Sequence, residues 1–143
     1  MKTSEPSAED QHRALAWTEL CSAGLATGVL VQAALAGQFI TARPGLLDLH
    51  RLLAEFIPIV AVVLVVLTWR LRGSGLSGRR ALQLSVVSLV AIVVQTGLGF
   101  AGRSSPTAVA VHIPLGVALF GSLLWITCCT HGQRHAPEAN RTK

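Results

Sequence analysis

The stretch VQTGLGFAGRSSPTAVAVHIPLG, residues 94–116, decides the fold. It joins the end of one apolar run to the start of another through a short polar turn. Gln95 sits inside the first run and His112 inside the second. An earlier stretch, VQAALAGQFITARPGLLDLHRLLA at 31–54, follows the same plan. Gln32 precedes His50 by 18 residues, and Gln95 precedes His112 by 17. Each glutamine follows a valine and stands three residues before a leucine, Leu35 or Leu98. Each turn carries one arginine and one proline, Arg43 with Pro44 and Arg103 with Pro106. Each histidine has a small residue one turn on, Ala54 or Gly116. The chain therefore reads as two copies of one helical hairpin, each offering one intramembrane histidine.

The rest of the composition agrees with a membrane setting. Of the 143 residues, 51% are hydrophobic and 13% charged, and the mean hydropathy is +0.55. A soluble domain carries about twice that share of charge. Apolar runs at about 16–40, 45–69, 81–100 and 107–129 each approach the ~20 residues that cross a bilayer. The expected fold is an all-α integral membrane four-helix bundle built from two repeated helical hairpins. Polar tails are expected at 1–15 and 130–143, and a polar loop at 70–80. Pro44 opens the second helix and Pro58 is placed to kink it. Gly24 and Gly28 form a small-xxx-small pair of the kind that admits a neighbouring helix, which points to a homodimer or a larger membrane complex. Cys21, Cys128 and Cys129 have no metal-binding spacing and read as small packing residues or a palmitoylation site.

The charges set a topology. With four spans, one face carries Lys2, Arg13, Arg70, Arg72, Arg79, Arg80, Arg134, Arg141 and Lys143. The other carries Arg43, Arg51 and Arg103. Basic segments stay cytoplasmic, so the expected placement is the cell membrane, multi-pass, with both termini inside. Trp17, Trp69 and Trp125 all fall at the inner ends, where indole rings anchor. The net charge of +5 does not indicate nucleic acid, because the basic residues flank the apolar runs and lie against membrane lipid instead.

On this topology His50 and His112 share a depth, each roughly 8 Å below the outer helix ends. Two facing histidines at one depth suit haem b, whose iron takes two axial imidazoles. Ala54 and Gly116 leave space beside the two rings, as would Gly97 and Gly99. Arg43, Arg51 and Arg103 gather at the outer end, where haem propionates would point. Gln32 and Gln95 are placed to line the pocket or orient a ligand. The competing account makes each histidine an interfacial residue bonded to a backbone carbonyl. Asp48, Arg51 and Glu55 share one helix face, either as mutual neutralisation or as a proton path, with Asp48 and Glu55 the candidate catalytic acids. His12, His131 and His135 read as tail residues without a role.

At these residues the chain resembles the haem A synthase family. The resemblance lies in DLHRLLAEF (48–56), VVQTGLGF (93–100) and VAVHIPLGVALF (109–120). It implies one four-helix half of an eight-helix enzyme, with His50 and His112 as haem ligands. The family places an acid three residues before its first histidine. Here that position is Leu47, and the nearest acid is Asp48. The outer-loop cysteine pair of many members is absent as well. Three functions stay open: a bis-histidine haem protein for electron transfer, haem handling or haem-dependent oxidation; a non-haem scaffold or accessory subunit of a larger membrane complex; and a proton or solute transporter.

Overall fold

The computed structural model describes residues 8–41 and 45–136. It is an all-α bundle: α1 (Ala8–Thr41), α2 (Leu46–Leu71), α3 (Gly75–Ala101) and α4 (Pro106–Arg134). Each helix is long and apolar enough to cross a membrane. Only 17% of each apolar window is buried inside the bundle, so most of its hydropathy points outward. Such a surface, with Ile59 and Val117 among its exposed side chains, requires lipid rather than water around it.

Successive helices pack side by side, and α4 closes the ring against α1. Among the described residues the backbones of the diagonal pairs α1–α3 and α2–α4 do not come close. Each hairpin of the sequence repeat is thus one side of a square. The two histidine-bearing helices stand at opposite corners.

The helices overrun the apolar segments. α1 begins at Ala8 rather than near 16, and α4 continues to Arg134 rather than ending near 129. Beyond the hydrocarbon, water can satisfy helix-end groups, so polar residues need not end a helix there. The expected loop at 70–80 contracts to 72–74, because Gly75 takes a left-handed φ of +70° and starts α3 at once. Gly78 lies so close under the Leu71 carbonyl that a Cβ there would collide with it. Ser105 caps α4 by accepting a bond from the Ala108 amide at 3.3 Å, with Pro106 in the first turn. α2 and α4 continue through Pro58 and Pro114.

The core occupies the half nearer the α2–α3 turn, called the inner half, the end with the α3–α4 turn being the outer. Leu64, Leu123 and Ile126 are fully buried there, with Leu25, Ala61, Ile57, Ile92 and Leu119 layered above them. Lipid is as apolar as this core, so the layers are held by packing rather than by escape from water. Leu64→Ala would act through its cavity and lost contacts. Buried and half-buried hydroxyls join the helices at the same level: Ser22 to Thr127 at 2.8 Å, Thr68 to Ser85 at 2.7 Å and Ser88 to Ser122 at 3.0 Å. Small polar pairs of this kind bind helices together in lipid.

The Gly24–Gly28 pair divides between two surfaces. Gly28 faces α2, 3.8 Å from Ile57 measured from its virtual Cβ, whereas Gly24 is exposed with open space beside it. Cys21 reaches the Val60 carbonyl at 3.6 Å, and all three cysteines are free thiols. Trp17, Trp69 and Trp125 are exposed at the inner end, and Arg72 stacks 4.3 Å over the Trp69 ring.

Candidate functional site

Above the layer formed by Ile57, Ile92 and Leu119, the bundle changes character. Towards the outer ends, Ala108 alone is buried among the described residues. The half-buried side chains there include the polar or very small Gln32, His50, Ala54, Gln95, His112 and Gly116, beside leucines such as Leu35, Leu53 and Leu98.

Both histidines are anchored in the same way. Nδ1 of His50 lies 3.1 Å from the backbone carbonyl of Gln32, and Nδ1 of His112 lies 3.0 Å from that of Gln95. A carbonyl oxygen only accepts, so in each ring the proton sits on Nδ1. The neutral ring then carries its lone pair on Nε2, the nitrogen that would meet a metal. This arrangement is the usual orienting device for a ligating histidine.

The second hairpin adds two contacts. The Gln95 amide nitrogen donates to the His112 carbonyl at 2.8 Å, so residues 95 and 112 are joined by two bonds. A Cβ on Gly99 would stand 3.4 Å from Cε1 of His112, which makes this glycine the floor under the ring. Gly116 borders the Gln95 amide, with 3.1 Å between its virtual Cβ and the amide nitrogen. Gly97 is exposed and meets nothing within 4 Å. The amide oxygens Oε1 of Gln32 and Gln95 are buried without a hydrogen-bond partner among the described residues. The two orphan acceptors are repeat-related, each on the residue whose backbone carbonyl holds a histidine.

The remaining candidates lie around this level. Arg51 pairs with Asp48 at 3.3 Å, and both are exposed. Glu55 is exposed on the outer surface of α2, so the triad does not close and Glu55 does not join the histidines. Arg103 is exposed at the outer end, 5.4 Å over the Phe100 ring. Arg43 falls outside the described residues.

A second cluster, at the inner end, escapes the sequence reading. Glu19 accepts from Nδ1 of His131 at 2.8 Å and from Arg134 at 3.0 Å, tying α1 to α4. The His131 and His135 rings lie 4.5 Å apart. His131 therefore belongs to a helix–helix clasp and not to an idle tail, because α4 carries it one turn past the apolar run. The available signal was an acid in an apolar helix at the depth of a His/Arg pair on another helix. Groups of three or more His, Cys, Asp or Glu side chains able to hold a metal do not occur among the described residues.

The fold and site define a multi-pass membrane bundle of four helices with a pair of oriented histidines in its outer half. Comparison with family models, curated proteins and solved structures finds no match to the chain.

Proposed function

We propose that the chain is an integral membrane b-type haem protein, with His50 and His112 as the two axial ligands. The observation that carries this reading is the repeated Nδ1–carbonyl bond, which sets both rings in one tautomer, with the proton on Nδ1 and the lone pair on Nε2. Several features fit the group. The outer end buries few side chains fully, a glycine lies against the His112 ring, and two ligands suffice only if four equatorial nitrogens come with the metal. Bound haem would supply one-electron redox chemistry at the iron. The protein's part is to hold two neutral imidazoles, shield them within the bundle and present Arg51 and Arg103 at the outer end for carboxylates.

The reading extends the resemblance to one half of a haem A synthase, and it favours electron transfer or haem handling over oxidation. Asp48 is exposed and paired to Arg51, and Glu55 points away from the histidines, so neither acid stands beside the candidate iron site. We place both termini in the cytoplasm, on the strength of the nine basic residues that share their face. Reduced-minus-oxidised absorption spectroscopy of the detergent-purified chain tests the haem assignment.

A further inference from the structure

The α2–α3 turn and the start of α3 carry Arg70, Arg72, Arg79 and Arg80, all exposed. No Asp or Glu occurs between Glu55 and Glu138, and none of these arginines forms an ion pair among the described residues. Uncompensated charge at the edge of a bilayer serves orientation in general. Here it also borders a built crevice. Ser77, Arg80 and Leu84 of α3 form one wall, and Trp125, Ile126 and Cys129 of α4 form the other. The space is small, about 70 Å³, enough for part of a headgroup or a few methylenes but not for a folded metabolite.

The crevice is ordered along the membrane normal. Ser77 and Arg80 lie at its mouth, next to the turn, and Leu84 and Ile126 lie one to two turns deeper. Trp125 is exposed beside it at the level where indole rings meet lipid headgroups. A guanidinium and a hydroxyl above an apolar floor match a phosphodiester above its acyl chains. Basic crevices between membrane helices recognise anionic lipid in this way.

We propose that this crevice is a binding site for an anionic phospholipid of the leaflet on the arginine-rich side, with Arg80 and Ser77 holding the phosphate. The site is independent of the haem reading. Trp125 reports on it directly. The full chain carrying Trp17→Phe and Trp69→Phe, reconstituted in phosphatidylcholine, is titrated with brominated phosphatidylglycerol or brominated phosphatidylcholine. Brominated phosphatidylglycerol should quench Trp125 at a several-fold lower mole fraction. Arg80→Gln should cut that preference by roughly fivefold. Arg79→Gln removes the same charge from a residue outside the crevice and should cut it less. Inorganic phosphate should not release the quenching. Equal quenching by the two lipids, equal loss in the two variants, or release by free phosphate each overturns the proposal.

Discussion

His112 and Gln95 hold each other by two bonds. Nδ1 of His112 donates to the Gln95 backbone carbonyl at 3.0 Å, and the Gln95 amide nitrogen donates to the His112 carbonyl at 2.8 Å. The pair fixes ring and helix together, so the ring's surroundings become as exacting as the ring itself.

Gly99 and Gly97 test that exactness against each other. Gly99→Leu sets a side chain whose Cβ already touches the His112 ring, while Gly97→Leu projects into open space. The first should cost about 1–3 kcal/mol through overpacking and disturb any spectrum that depends on His112. The second should change stability by less than about 0.5 kcal/mol. Unfolding of the two variants in mixed detergent titrations measures the difference.

The Thr68–Ser85 pair joins α2 to α3 at 2.7 Å, and both residues are essentially fully buried. Each hydroxyl has a carbonyl of its own helix within reach, Leu64 for Thr68 and Leu82 for Ser85, so one hydroxyl donates across the pair while the other donates to its own helix, and loss of one partner strands little. A double-mutant cycle with Thr68→Val and Ser85→Ala should give a coupling of about 0.6 kcal/mol, and not above about 1.7. Zero coupling would mean that the two hydroxyls merely pack.

The Glu19 clasp should be uneven. The Arg134 limb is 30% exposed and the His131 limb 59%, so water screens the second more strongly. Glu19→Leu removes both charge-assisted bonds and should destabilise by about 1–3 kcal/mol. His131→Gln should cost less than about 1 kcal/mol. Thermal unfolding followed by far-ultraviolet circular dichroism distinguishes the two.

Orientation is open to labelling. In a cysteine-free background, Gly73→Cys lies in the α2–α3 turn and Ser104→Cys in the α3–α4 turn. An impermeant maleimide added to intact cells should label Ser104→Cys alone. Labelling of Gly73→Cys alone would invert the topology.

Much of this architecture is legible in the residues. Four apolar runs, two short turns, three tryptophans at one level and a repeated Gln–His spacing lead to a square bundle with histidines at opposite corners. Helix ends are less legible, because outside hydrocarbon a polar sequence such as AEDQHRA can be helical without an apolar face. The hydroxyl pairs were also out of reach. Serine and threonine carry no periodic signal, and which hydroxyl meets which depends on helix rotation. Asp48, Arg51 and Glu55 show the same limit from the other side. Their spacing permits one cluster, yet Arg51 turns towards Asp48 and leaves Glu55 on the outer surface. The role of Gly116 depends likewise on which way Gln95 folds.

The most direct measurement is the visible spectrum of the chain purified in mild detergent with haem supplied. Bis-histidine ligation predicts a Soret band and, on reduction, the sharp split bands of low-spin six-coordinate haem b. His50→Ala and His112→Ala should each convert this to a five-coordinate spectrum or abolish it, while the far-ultraviolet helix signal persists. A wild-type chain that remains colourless after haem supplementation, or keeps a six-coordinate spectrum without either histidine, would contradict it.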